Sequence, residues 1–139
     1  MAFDFGEKRI GVAVGNPAIG VASALTTIHA ESNVDRLAAV GVLVREWQPA
    51  QLVVGAPAPR DGAPHPIAHL AKKFGNRLQE NFKLPVAYVD ETLTSMDAAR
   101  HLSEQGIKGR DQKEKIDAVA AQVILQSWLD GQRQVSHAA

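Results

Sequence analysis

Three acidic residues stand at the ends of apolar segments that lie far apart in the chain. Asp4 closes the opening MAFD, Glu91 follows VAYVD, and Asp117 stands near the start of KEKIDAVAAQVILQSWL. A folded α/β domain can bring two strand ends and a helix start to one place. Carboxylates gathered there repel one another, and the usual compensation is a divalent cation. The chemistry such a centre serves is phosphoryl transfer or hydrolysis. Singly, each acid has a plainer reading. Asp4 precedes a turn glycine, Asp90-Glu91 sits beside the capping residues Thr92 and Thr94, and Asp117 suits the positive end of a helix dipole. The three together carry more than any one of them.

Basic residues frame the acids. Lys8 and Arg9 follow Asp4 closely, and Lys108, Arg110, Lys113 and Lys115 precede Asp117. Cations around a metal site, but not inside it, are what a phosphate backbone requires. Gly109 gives the 108–113 segment the character of a mobile loop. Other candidates are weaker. His65 and His69 have i, i+4 spacing but no adjacent acid and no third ligand, and read as a surface pair. Asp61 reads as a turn former, and Ser95 belongs to no nucleophile motif. Asp4-Phe5-Gly6 matches a kinase metal motif in letters only, because no glycine-rich loop or catalytic-loop signature accompanies it. Trp47 and Trp128 fall on apolar helical stripes and read as core.

The elements that must position these groups follow from periodicity. Residues 1–5 and Arg9–Gly15 read as strands joined by a turn at Gly6, where a tight hairpin would use a positive φ. Residues 21–29 make a third strand. A helix capped by Ser32 or Asn33 carries Val34, Leu37, Ala38, Gly41, Val44 and Trp47 on one face, and Pro49 ends it. Gln51–Ala56 is a short apolar strand of parallel character. The Pro- and Gly-rich segment 57–66 is a loop. A second helix places Ile67, Leu70, Ala71, Phe74, Leu78 and Phe82 on one stripe, and Pro85–Asp90 is a fifth strand. A short helix from Thr94 to about Gln105 and a last one from about Lys113 to Asp130 complete the order. Gly131 would end the last helix, and the tail from about 132 is expected to fray. Three hairpin-linked strands followed by alternating helices and strands predict one α/β domain, a mixed five-stranded sheet with helices on both faces. In such sheets, sites collect at strand carboxyl ends, where Asp4 and Glu91 fall. The alanines after Asp117 would let the last helix press close to the sheet and carry Asp117 towards Asp4.

Composition sets bounds. The chain has 139 residues, 45% hydrophobic and 22% charged, with fifteen basic and fifteen acidic side chains that cancel. Any nucleic-acid surface must therefore be local. No cysteine is present, which excludes disulfides and thiolate chemistry and suits a reducing cytoplasm. No apolar run approaches the roughly 18 residues of a membrane span, and no signal-peptide pattern opens the chain.

DFGEKRIGVAVG, VVGAPAPRDG, DETLTS and KIDAVAAQVILQSWLD, in that order, resemble the motifs of the YqgF/RuvX family over nearly the whole chain. That resemblance implies an RNase H-like fold and kinship with Holliday junction resolvases. It also implies a nuclease that matures the 5′ end of pre-16S rRNA. It puts the acidic triad on Asp4, Glu91 and Asp117, acting with Mg²⁺ or Mn²⁺. The matching glycines are Gly6, Gly11 and Gly55, and Arg9 is the basic residue of the first motif. Lys8, Arg9, Lys108, Arg110 and Lys113 are the expected substrate contacts. Three departures stand out. The family has several more residues before its first Asp, Thr92 replaces its usual Arg, and Ala56-Pro57 replaces Leu-Pro. The expected partner is nucleic acid, pre-rRNA ahead of branched DNA, within a ribosomal precursor and away from membranes. The expected protein is a cytoplasmic monomer or weak homodimer. An rRNA- or protein-binding module without catalysis is the alternative from another class. A fragment of an actin-like ATPase is a third, but that fold needs two such domains.

Overall fold

The computed structural model describes residues 1–56, 66–90 and 110–138, with side chains for 1–56, 67–90 and 116–132. Five strands form one sheet in the order β3-β2-β1-β4-β5. They are β1 (Ala2–Asp4), β2 (Arg9–Asn16), β3 (Val21–His29), β4 (Leu52–Ala56) and β5 (Val86–Asp90). β1 is central, antiparallel to β2 and parallel to β4, and β4 is parallel to β5. Three helices complete the described architecture: α1 (Asn33–Trp47), α2 (Pro66–Phe82) and α3 (Arg110–Ala138). The expected loop 57–65 and the helix Thr94–Gln105 lie outside the described residues.

Alternation along β1 divides the core. Phe3 and Phe5 point towards α2, where Phe74 meets Phe3 edge-on at 5.7 Å between centroids and Phe5 at 5.1 Å. Val12, Val40, Val54 and Leu78 belong to that layer. Ala2 points the other way and joins Ala13, Ala22 and Val53 under Ala121, Ile124, Leu125 and Leu129 of α3. Aromatic pairs of this kind add about 0.5–1.5 kcal/mol beyond area burial. They pin the short strand that carries Asp4. The main-chain nitrogen of Met1 donates to the Gln51 carbonyl at 3.0 Å, extending the β1–β4 pairing at its start.

Small residues on the second layer let α3 lie close. Ala118, Ala120 and Ala121 are buried, as the flat helix face predicted. Amide side chains then fasten the helix to edge strand β3. Ala22 N–H donates to Gln126 Oε1 at 3.0 Å, and the Ala22 and Gly20 carbonyls accept from Gln122 at 3.1 Å and from Gln126 at 2.9 Å. These bonds satisfy edge groups that would otherwise invite another strand.

Four expectations change. The last helix begins at Arg110 and continues through Gly131 to Ala138, so Gly131 is not its stop. α1 is capped by Ser32, whose side chain accepts from Asp35 N at 3.1 Å, but its buried face centres on Val40 and Gly41. Val34 and Trp47 are 77% and 46% exposed, so Trp47 is not core, whereas Trp128 packs against the layer under α3. The helix lies towards one edge of the sheet and is covered on a narrower arc than its apolar stripe. Finally, Gly20 is the glycine with positive φ among the described residues, and Gly6 does not share it. Gly6 is required by closeness instead, since a Cβ there would stand 2.5 Å from the Arg9 carbonyl oxygen.

Candidate active site

Asp4 is half-buried at the carboxyl end of the central strand. Its Cα partners are Gly11 on β2 and Gly55 on β4. Glycine on both flanks leaves the space beside the carboxylate free of cross-strand side chains. Asp4 is two residues beyond Ala2 and so faces α3. Asp117 lies one helical turn before Ala121, the residue that packs in Ala2's layer. Strand and helix periods therefore bring Asp4 and Asp117 to one end of the sheet. Gly11 makes the approach possible, because the main chain of Asp117 and Ala118 passes directly over it.

Asp117 is held in an unusual state. Its side chain is 18% exposed, and Arg9 Nε stands 3.2 Å from Oδ2. That N–H is not aimed at the oxygen, so Oδ2 is buried without a hydrogen bond among the described residues. The contact is an ion pair without a directed bond. Burial pushes the Asp117 carboxyl above its ordinary value, and the charges of Arg9 and His29 pull it partly back. A buried carboxylate oxygen with spare acceptor capacity costs stability unless something fills it.

Lys8, Arg9, His29 and Asp117 line an open cleft of about 960 Å³. Glu7, Glu31 and Asp35 line it too, so the cleft is not uniformly basic. Arg110, expected in a loop, and Lys113, expected where that loop meets the helix, both belong to the first turns of α3. At seven and four residues before Asp117 they share its helical stripe. Glu91 and Lys108 lie outside the described residues, as do Asp61, His65, Thr92 and Ser95. Glu91 directly follows β5, whose Val89 pairs with Gly55 and so falls in the row of Asp4 and Gly11. His69 is exposed on α2.

Two residues of the site escaped the sequence reading. Arg36 of α1 stacks its guanidinium 5.3 Å above the Phe5 ring, donates to the Glu7 carbonyl and bonds Asn33 Oδ1 at 3.0 Å. It thereby holds the turn that presents Lys8 and Arg9. His29 reaches the cleft only because β3 pairs antiparallel with β2, placing it opposite Arg9. Neither belongs to a motif, and the register that brings them in is not written in either segment alone.

The carboxylates of Asp4 and Asp117 are hard oxygen donors of the kind a divalent cation takes, and Asp117 Oδ2 has no hydrogen bond among the described residues. Among the described residues no group of three or more His, Cys, Asp or Glu is assembled for a metal, and the third expected acid, Glu91, is not among them.

A five-stranded mixed sheet whose central strand ends in an acid, covered by a helix bearing a second, defines an RNase H-like domain. Residues 1–131 match the family described as "RuvX: Holliday junction resolvase", and the chain belongs to that family. It is similar to a protein of Dechloromonas aromatica, with 57% identity over 97% of this chain and 92% of the relative. A Methylobacillus flagellatus protein is 52% identical over 94% and 90%. One from Chromobacterium violaceum is 50% identical over 94% and 96%. Each of these relatives bears the name "Putative pre-16S rRNA nuclease".

Proposed function

We propose that this chain is a metal-dependent nuclease that hydrolyses phosphodiester bonds in structured nucleic acid, and that its substrate is the 5′ end of pre-16S rRNA. The observation that carries the reading is the pair Asp4 and Asp117. One has glycine as its ladder partner on both flanks, and the other holds a buried carboxylate oxygen with no hydrogen bond among the described residues. The names of the relatives support the rRNA substrate. The family's description supports a second reading, cleavage of four-way DNA junctions.

In this account Asp4, Glu91 and Asp117 would hold one or two Mg²⁺ or Mn²⁺ ions, which would supply Lewis-acid polarisation of the phosphodiester and a more acidic attacking water. The remaining work falls to the chain. Burial of Asp117 keeps its carboxylate poorly solvated, so cation binding there meets little competition from water. Arg9 stands 3.2 Å from Asp117, and with that carboxylate on a cation it would be available to a substrate phosphate. Lys8, Lys108, Arg110 and Lys113 contact the backbone without reading bases. An rRNA substrate sets the work in the cytoplasm, on a ribosomal precursor. Among the described residues no helix is long and apolar enough to cross a membrane.

Trimming one RNA end takes one cut and one site, whereas resolving a junction takes two paired cuts and most simply a symmetric dimer. We therefore favour a monomer or weak homodimer. The test is cleavage of end-labelled pre-16S RNA and of a four-way junction, each with Mg²⁺, Mn²⁺ and EDTA, beside sedimentation at micromolar concentration. Metal-dependent cuts at the RNA 5′ end by a monomer are expected. A tight dimer that makes paired cuts in the junction and ignores the RNA would reverse the ranking. Inactivity on both would favour a binding module.

A further inference from the structure

His29 lines the cleft and has had no role so far. His29 is exposed at the end of β3, and its Cα partner across the antiparallel ladder is Arg9. The next N–H, that of Ala30, donates to the Lys8 carbonyl at 3.1 Å. The ends of β2 and β3 are thus tied side by side, and His29 is presented from a fixed backbone.

Arg9 and His29 are directly opposite across the ladder, so their side chains leave the sheet on one face. Arg9 has Asp117 as its counter-charge there. When Asp117 is engaged by a cation, the guanidinium loses its counter-charge, and an anion becomes the natural partner of both side chains. Glu7, Glu31 and Asp35 line the same cleft, so an anion would seat at its cationic and N–H-donating groups, and Arg9 and His29 stand opposite one another there.

We propose that His29 is a substrate-binding residue, gripping one backbone phosphate of the nucleic acid together with Arg9 on the β3 side of Asp117. The proposal rests on the nuclease reading above. An imidazole offers an N–H donor in either ring state, and the guanidinium supplies a fork that matches phosphate oxygens. His29 and Asp117 line the same cleft.

The test is fluorescence anisotropy of a labelled pre-16S 5′ fragment across a KCl series, with Ca²⁺ present to separate binding from cleavage. His29→Ala is expected to weaken binding about tenfold, the size of one lost bond to a charged group. Because the side chain is exposed, the Tm should not move. His29→Lys should restore affinity and steepen the salt dependence by close to one unit. In the double variant with Arg9→Ala, the two losses should combine to less than their sum, as for groups sharing one ligand. If His29→Ala binds as tightly as wild type while wild type binds well, the phosphate seat is overturned alone. If wild type does not bind the RNA, the nuclease reading falls and the seat with it.

Discussion

The carbonyl oxygen of Asp117 lies 1.7 Å from where a Cβ on Gly11 would stand. Gly11 is also the ladder partner of Asp4. One glycine thus sets the distance between the central strand's acid and the helix that brings the other acid to it.

Gly11→Ala should be severe. The atoms in the way are backbone of Asp117 and Ala118, which cannot rotate aside. Overpacking typically costs about 1–3 kcal/mol, and this site belongs at or beyond the upper end. Urea unfolding would show it as a lower midpoint. Gly131 is the useful contrast, with nothing within 4 Å of an added Cβ and a helical backbone through it. Gly131→Ala should stabilise by about 0.5–1 kcal/mol, as in any helix interior. Destabilisation by the Gly131 change would mean that the helix ends there.

The charge on Asp117 should work against folding in the absence of metal. Its folded pKa is raised above the ordinary 3.8 by burial. Between these two values the unfolded chain binds fewer protons than the folded one, so stability falls as pH rises through that window. Above the raised pKa the loss is complete. Asp117→Asn should therefore be more stable than wild type at pH 7 in EDTA, with the difference vanishing below pH 3.8. A variant less stable at pH 7 would show that the Arg9 contact outweighs the burial.

Arg36 should matter to binding although it is not proposed to touch substrate. Arg36→Ala removes the stacking on Phe5 and the bond to the Glu7 carbonyl, at a cost of about 1–2 kcal/mol. The freed turn should also weaken nucleic-acid binding several-fold by loosening Lys8 and Arg9. Stability and affinity measured on one preparation would separate this from a purely structural effect, in which affinity of the folded fraction stays at the wild-type value.

Arg110 and Lys113 share the Asp117 stripe of α3, and substituting both with Ala should weaken all nucleic acids alike. The slope of affinity against salt should flatten by close to one unit per lost contact. A loss confined to one sequence, with the slope unchanged, would contradict backbone binding.

The fold was legible where local chemistry and long-range packing agree. The apolar runs of β2 to β5, the Ser32 cap and the alanine face after Asp117 each carry their own signal. Asp4 stands at a strand end, as read, whereas Asp117, expected near the start of its helix, lies two turns inside it because the helix begins at Arg110. What stayed hidden depends on partners. His29 becomes a cleft residue only through its register with Arg9, and Arg36 becomes a clamp only because α1 crosses the turn at Glu7. Trp47 is exposed because periodicity reports an apolar stripe and not how much of it a neighbour covers.

The central claim is that Asp4 and Asp117 hold a divalent cation, and it is tested most directly by thermal unfolding with and without Mn²⁺. Wild type should gain about 2.7 kcal/mol at one hundred times the dissociation constant. Asp4→Asn should be at least as stable as wild type in EDTA and gain little or nothing from the metal. Equal gains by wild type and Asp4→Asn would show that the cation does not bind where this account puts it.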